Sequence, residues 1–450
     1  MVGSLSAAAS AGSARPFDPI VARPSHRLSI VIATSAETAD LLRADGQLPE
    51  TYLRLGRLAA FYRDADSQLP RVLAVRDLDP PTLAFRRGGG TAATIRAARL
   101  WLFDVQAGPI VAVLSVDLDC EPLVLIPFLE DLYYDDLTIG GSPIDGVAAD
   151  LLDGVDAAVR HSAGSRLELT SQRHQMVFTS ATLPEDSVQR LIYRADLDAN
   201  PQYSSIQYPA ELNRRPTSGA AVGAYVSVLA AQQDYIENCA LLSSVQVVAA
   251  SCKIRRVRFA AYETLLRVRE LGTTRATMSR PERRAELARL HETLAEQELA
   301  LTFGVEAACE IGILVPALRV ENFHRQLVAC TGLRDSIETV STMLARATSV
   351  LAAEEGSQTA LDAQRQDLRR LRYGVTIGLL STIAVPIGII LGFFGGNYTQ
   401  VDGNRSMFDW SHYHDMYLAV LGLILAAGTV FAILFLLERL QIRRASKPSH

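Results

Sequence analysis

Residues 374–394 read GVTIGLLSTIAVPIGIILGFF, and residues 416–437 read MYLAVLGLILAAGTVFAILFLL. Neither stretch contains a charged side chain, over 21 and 22 residues respectively. A helix rises about 1.5 Å per residue, so each stretch is long enough to cross the roughly 30 Å hydrocarbon layer of a bilayer. We therefore predict two transmembrane helices, at 374–397 and 416–437, joined by an external loop at 398–415.

Basic residues lie at the outer ends of this pair of stretches and are almost absent between them. The loop carries Arg405 as its only basic residue. Because basic residues favour the cytoplasmic side, both termini are predicted to be cytoplasmic, with 438–450 as a basic tail. The predicted location is the plasma membrane, which in a bacterium is the inner membrane. The flanking basic residues are Arg365, Arg369, Arg370 and Arg372 before the first stretch, and Arg439, Arg443, Arg444 and Lys447 after the second.

The rest of the composition argues against several classes of protein. A net charge of −5 over 450 residues provides no basic surface for nucleic acid. The five cysteines form no C-x-x-C pair, so neither a zinc knuckle nor a disulfide framework is predicted. Gly88-Gly89-Gly90 lacks the Gly-Lys-Ser/Thr of a phosphate loop, and Ala295 stands where an H-E-x-x-H motif from His291 needs its second histidine. We expect no enzyme activity and no nucleotide cofactor.

The chain before the first apolar stretch is predicted to be cytosolic and to have four parts. Residues 1–23 are predicted to form a disordered leader, because the first 14 residues are rich in Ala, Ser and Gly and contain no charged side chain. Residues 24–251 mix short apolar runs with helical patterns, which indicates an α/β or α+β domain. Residues 252–331 are helical and include a capping box from Ser279 to Glu282. The predicted strands are 28–32, 100–104, 110–116, 176–179 and 221–228, with a helix at 147–159.

A heptad repeat characterises the fourth part, residues 332–373. Apolar residues alternate by four and three, which is typical of a helical seam: Leu333, Ile337, Val340, Leu344, Ala347 and Leu351. The same register continues through Glu354, Gln358, Leu361, Arg365, Leu368 and Arg372. We predict one stalk helix that runs into the first span, with its polar lower seam lining a wet cavity. The alternative is two helices broken at Gly356-Ser357.

Small residues follow one stripe of the first span: Gly374, Gly378, Ser381, Val385, Gly388, Gly392 and Gly395. Such a stripe either allows close helix packing or leaves room for a water-filled path. Asn397 follows two glycines at the outer end. Its amide could face a passing hydrated cation, because Mg²⁺ sheds water reluctantly and oxygen ligands can hold its hydration shell. Alternatively, Asn397 caps the helix in a left-handed turn.

Carboxylates in the cytosolic part suggest a second ion site. Hard cations prefer several carboxylate ligands, so a regulatory metal site is one interpretation of four clustered acids, and a solvated loop is the other. The four residues are Glu130, Asp131, Asp135 and Asp136. In the external loop, His412 and His414 form only a weak zinc pair without a third ligand.

The long stalk, two C-terminal spans, short loop and basic tail resemble the CorA family of magnesium and related divalent-cation channels. In that family the first span ends in Gly-Met-Asn, preceded at fixed spacing by a proline and a threonine. Here Gly395-Gly396-Asn397 stands at that position, with Pro386 in register, Gly388 in place of the threonine and Phe394 in place of the usual tyrosine. The departures broaden the expected ion from Mg²⁺ to related Zn²⁺, Co²⁺ and Ni²⁺.

The resemblance implies a funnel-shaped homopentamer in membrane lipid, with five first spans around a pore. Asn397, with Gly395 and Gly396, would form the selectivity ring. The pore-lining positions would be Gly374, Ile377, Ser381, Val385 and Gly388. The divalent cation would be the transported ion and also a regulatory ligand, moving passively down the membrane potential. Two alternatives stay open: a proton-coupled carrier on the same scaffold, and a non-conducting membrane-anchored sensor or scaffold.

Overall fold

The computed structural model describes residues 25–38, 46–65, 68–155, 159–160, 167–195, 205–273, 278–395, 404, 406 and 408–445. These residues form a mixed α/β structure, with a sheet-rich N-terminal region followed by long helices. The predicted fold class is confirmed at this level. The chain divides into two compact units, Met1–Leu351 and Ala352–His450.

The strands belong to one large sheet and one small sheet. In chain order they are β1 (His26–Thr38), β2 (Arg71–Leu78), β3 (Leu83–Phe85), β4 (Thr94–Asp104), β5 (Pro109–Asp119), β6 (Leu137–Ile139), β7 (Ser142–Pro143), β8 (Val159–Arg160), β9 (Leu169–Thr179), β10 (Gly219–Val222) and β11 (Val226–Ala230). The large sheet has the order β10-β11-β9-β1-β5-β4-β2, with β8 also paired to β1. All pairings in it are antiparallel except β9 with β11. The small sheet is β3-β6-β7.

The helices alternate with these strands along the chain and then follow them. In chain order they are α1 (Ala59–Asp64), α2 (Leu125–Tyr133), α3 (Ile144–Asp153), α4 (Glu185–Tyr193), α5 (Asp234–Thr273), α6 (Arg280–Leu301), α7 (Ala307–Cys309), α8 (Ile311–Leu314), α9 (Leu318–Cys330), α10 (Leu333–Gly395) and α11 (Trp410–Ala445). A π-helical turn, Thr302–Glu306, joins α6 to α7. The capping box at the start of α6 is confirmed, with the Ser279 backbone N–H donating to Glu282 at 3.0 Å.

The large sheet is covered on both faces, and successive side chains of its strands belong alternately to the two cores. Along β1, Val31 belongs to the core that includes α5, α6 and α9, whereas Ile30 and Ile32 belong to the core that includes α2, α3 and α4. Successive side chains of a strand point to opposite faces, so a sheet buried on both faces needs apolar residues at every position. This explains the nearly continuous apolar run of β5, in which Ile110 and Val111 are both buried.

Two predicted elements have different bounds in the structure. The predicted strand at 221–228 is two strands, β10 and β11, separated by a turn in which the Gly223 N–H donates to the Val226 carbonyl at 2.9 Å. A Cβ at Gly223 would lie 2.6 Å from Ile192 Cγ2, so this turn requires glycine. The predicted helix at 147–159 is α3, which ends at Asp153 before Gly154.

The predicted boundary between 251 and 252 falls inside a helix. Helix α5 extends without interruption over 40 residues, from Asp234 to Thr273. Its first half packs on β1, β5 and β9, and it also contacts α6 and α9. Sheet and helices therefore share one core, which explains why the first compact unit continues to Leu351.

Helix α10 contains both the predicted stalk and the first apolar stretch. It is continuous over 63 residues, so the structure has no break at Gly356-Ser357. Gly332, with φ of 63°, separates α9 from α10 in the left-handed conformation that ends many helices. The first part of the seam, through Leu351, is buried within the first unit.

Candidate functional site

The candidate site is the apolar second part of α10 together with α11. Helix α10 ends at Gly395, so this residue of the predicted Gly-Gly-Asn motif closes the helix. Gly396 and Asn397 lie outside the described residues. Both helices belong to the second unit from Ala352 onward.

All five predicted pore-lining residues are exposed on α10. They are Gly374, Ile377, Ser381, Val385 and Gly388. A Cβ at either glycine would meet nothing within 4 Å. Leu380, three residues further along the same side of the helix, is as exposed as Ile377, at 62% against 63%. The choice between a packing face and a water-filled path stays a prediction.

Helix α11 contains the segment that meets the physical requirement for a membrane span. Within the described part of the chain, Trp410–Val430 is the one helical segment found long and apolar enough to cross a bilayer, by length and composition. Its exposed large apolar residues include Leu418, Leu421, Leu425 and Val430. Burying each such side chain contributes about 1.5–3 kcal/mol, so their exposure to water would be unfavourable.

Polar and aromatic side chains define the start of α11. The Ser411 N–H and hydroxyl both donate to Asp409 Oδ1, at 3.2 and 2.6 Å, which satisfies part of the helix N-terminus. The rings of Trp410 and Tyr417 stack with centroids 5.6 Å apart. Aromatic residues at a helix end are typical of a membrane–water interface.

The two histidines of this region have separate neighbours. His414 Nε2 lies 3.1 Å from Asp415 Oδ1. The His412 and Tyr413 rings pack edge to face, with their centroids 4.9 Å apart. Within the described residues no group of three or more His, Cys, Asp or Glu side chains could hold a metal ion. Among the residues that the structure describes, the two histidines therefore have no third metal ligand.

The four predicted regulatory acids are brought together, but with arginines among them. Asp131 is fully buried at the end of α2, and its Oδ2 accepts hydrogen bonds from the Arg87 and Gly88 N–H groups at 2.7 and 2.9 Å. The Arg87 guanidinium also lies 2.9 Å from Asp136 and 3.6 Å from Glu130.

The other acids are paired in the same way. Arg86 lies 3.3 Å from Asp136, and Arg173 lies 2.8 Å from Asp135. Each of the four carboxylates thus lies within 3.6 Å of an arginine, and Asp131 links the loop before β4 to α2. We interpret the cluster as a structural ion-pair network, because its oxygens already have cationic partners and a metal ion would compete with them.

The arginines of this network were missed in the sequence because they are distant from the acids along the chain. Arg87 lies 44 residues before Asp131, and Arg173 lies 38 residues after Asp135. No local spacing connects them. The adjacent pair Arg86-Arg87, next to a short strand, was the one signal available.

Two buried histidines are the most perturbed imidazoles of the first unit. Burial lowers the pKa of His174 to about 4 and that of His324 to about 4. His174 Nε2 lies 2.8 Å from Ser227 Oγ, and His324 Nδ1 lies 2.7 Å from Ser243 Oγ. Both rings are therefore neutral at pH 7 and serve as hydrogen-bonding parts of the core.

A scan against protein-family models and a search of curated protein sequences gave no match.

Proposed function

We propose that this protein is a passive divalent-cation channel of CorA type, driven by the membrane potential. Its substrate would be Mg²⁺ or the related Zn²⁺, Co²⁺ or Ni²⁺. The proposed location is the plasma membrane, the inner membrane of a bacterium, with two spans and both termini in the cytoplasm. The proposal rests on the resemblance of the C-terminal region together with the geometry of α10.

The observation that carries the proposal is the continuity of α10. One helix joins the buried seam of the first unit to an apolar segment that exposes large side chains, such as Ile377, Leu380 and Val385, and ends at Gly395. A helix of this kind can connect a soluble domain directly to a membrane pore. These described side chains are exposed in the single chain, so lipid and further copies of the same helix are the natural candidates to cover them.

The roles of the motif residues follow from the resemblance. Asn397 would present its amide oxygen to the hydrated ion at the outer mouth, and Gly395 and Gly396 would leave room for the backbone to approach. Five copies would close the ring, with Gly374, Ile377, Ser381, Val385 and Gly388 along the path. Uncharged oxygens suit a divalent ion that keeps part of its water shell.

Transport of this kind needs no pump. A divalent cation moving inward gains about 4.6 kcal/mol at 100 mV, since each elementary charge gains about 2.3 kcal/mol. Neither predicted span carries an ionisable carboxylate or histidine. This argues for channel conduction over a proton relay, because a relay needs titratable groups within the membrane.

The experiment measures flux through the purified full chain in liposomes at a set inside-negative potential. We expect uptake of Mg²⁺, Zn²⁺, Co²⁺ or Ni²⁺, reported by a dye selective for each ion. Asn397→Ala should reduce uptake or alter ion selectivity by about tenfold, since a hydrogen bond to a charged species contributes about 1.5–3 kcal/mol. Asn404→Ala, in the same external loop, is the matched control and should leave both unchanged.

Three results would contradict the proposal. Absence of divalent flux at any potential would favour the membrane-anchored scaffold. Equal flux and equal ion selectivity in wild type and Asn397→Ala would contradict the proposed role of Asn397 in a selectivity ring. Uptake that follows an imposed proton gradient rather than the potential would favour the proton-coupled carrier.

A further inference from the structure

A cleft in the first unit has no role in the ion path. It lies between the start of β9, α5 and the first turns of α10, with a volume of about 970 Å³. Small-molecule sites usually have volumes of about 300–1,000 Å³, so this cleft has the size of a ligand site. Its floor includes His174, which is buried and hydrogen-bonded to Ser227. All lining residues belong to the first unit.

The charge of the cleft favours an anion. Three arginines line it, Arg173, Arg255 and Arg258, against the single aspartate Asp335. Arg173 is held by Asp135, and Arg255 donates to the Ser171 hydroxyl at 2.5 Å. Arg258 is exposed on α5 and has no ion-pair partner among the described residues. Its guanidinium is therefore available for a ligand and can bind phosphate oxygens with two parallel hydrogen bonds.

Aromatic side chains beside the arginines favour a ligand with a planar ring. Phe259 and Tyr262 both line the cleft from α5 and are 57% and 54% exposed. Large aromatic residues at such exposure are costly unless something covers them. Arg255 already lies over the Phe259 ring, with its Cζ 5.7 Å from the ring centroid. The wall therefore combines a cation and a stacking surface within two helical turns.

These features together describe the recognition of a nucleotide. A nucleotide offers a negatively charged phosphate and a flat base, and aromatic and arginine side chains bind bases by stacking. We propose that this cleft binds a nucleotide, with Arg258 on the phosphate and Phe259 or Tyr262 against the base. The sequence lacks a phosphate loop, which excludes one mode of phosphate binding, whereas arginine side chains supply another. The proposal does not depend on ion transport.

The test is equilibrium binding to the purified full chain in detergent. ATP, adenosine and inorganic phosphate are titrated separately by calorimetry, with EDTA present so that free metal does not contribute. We expect ATP to bind with a Kd below about 1 mM, and adenosine and phosphate to bind more weakly than ATP. Arg258→Ala and Phe259→Ala should each weaken ATP binding by about tenfold, since phosphate pairing and base stacking are lost.

Arg269→Ala provides the matched control, because Arg269 is exposed on the same helix and does not line the cleft. It should bind ATP as the wild type does. The thermal unfolding midpoint of each variant shows whether the fold is intact, and both cleft residues are exposed, so we expect no large shift. The proposal fails if ATP does not bind below about 1 mM, if both cleft variants bind normally, or if phosphate binds as tightly as ATP.

Discussion

Helix α10 has two regions with the same heptad register and opposite environments. In the first, the seam residues Leu333, Val340, Leu344, Ala347 and Leu351 are at most 2% exposed. In the second, Leu361 and Leu368 occupy the same stripe but are 43% and 48% exposed. The first region packs into the core of the first unit, and the division between the two compact units falls at Leu351.

A heptad pattern therefore predicts a helix and its apolar face, but not whether other elements cover that face. Burial of the first region depends on α5, α6 and α9, which belong to the same core. The second region alternates leucines with Glu354, Gln358 and Arg365 on its stripe. Polar residues on the stripe reduce the hydrophobic stabilisation that a packed partner helix would provide. A partner that covered this stripe would also have to pair with its charged side chains.

The largest expected effect comes from truncating one leucine in each region. Leu344→Ala should lower the free energy of unfolding of the first unit by about 2–5 kcal/mol, because a fully packed side chain is removed. Leu361→Ala should change it by less than about 0.5 kcal/mol, because that side chain is exposed. Urea unfolding in a Trp410→Phe background, followed by the fluorescence of Trp101, measures both.

The same pair of variants tests whether further copies cover the second region. If they do, Leu361→Ala should weaken the oligomer in detergent while leaving the urea midpoint of the first unit unchanged. An equal loss of stability in the two variants would contradict the difference in burial between the two regions of α10.

The next effect is a difference in acid stability. Burial lowers the pKa of His174 and of His324 to about 4, from an ordinary value near 6.5. The unfolded chain therefore binds these protons first, and the contribution is fully present above pH 6.5 and lost as the pH falls towards 4. Each histidine should reduce stability by about 1.4 kcal/mol per pH unit in this window. Residues 352–395 contain no histidine and lack this response.

Urea midpoints of the first unit between pH 7 and pH 5 measure this slope. Carboxylates also titrate in acid, so the matched variant is His324→Gln. It should lack the contribution of one histidine to the dependence of stability on pH, and its slope should therefore be smaller than that of the wild type. A slope that is identical in wild type and variant would contradict the assignment of His324 as a neutral core residue.

The smallest effect concerns two glycines: Gly332, which precedes α10, and Gly356, where the alternative interpretation of the sequence placed a break. A Cβ at Gly356 would meet nothing within 4 Å, so Gly356→Ala should stabilise the helix by about 0.5–1 kcal/mol. Gly332 has φ of 63°, so Gly332→Ala should instead destabilise by about 1–2 kcal/mol. Hydrogen exchange of the flanking amides measures both. Faster exchange around residue 356 in Gly356→Ala would mean that the helix needs flexibility there.

Several parts of the fold could be predicted from local patterns. The runs at 28–32, 100–104 and 110–116 lie within β1, β4 and β5, because strand formation follows a short apolar run. The capping box at Ser279 and the uninterrupted helix from Leu333 could be predicted for the same reason, since capping and the helical period act over a few residues.

Other parts could not be predicted, because they depend on residues far apart in the chain. The arginine partners of Asp131 and Asp135 are about 40 residues away from them. The cleft proposed to bind a nucleotide is lined by residues of β9, α5 and α10, and no pattern within any one of these segments predicts it.

The sequence by itself determined the uncharged helices at the C-terminus, the mixed α/β composition before them and the long seam of α10. These features follow from the length, periodicity and charge of each segment, and they do not depend on its contacts with other segments. Only the tertiary structure decided that the seam is buried to Leu351 and exposed beyond it, and that arginines surround the acidic cluster. Burial and ion pairing depend on which distant segments come together, and the packing of the whole core determines those contacts.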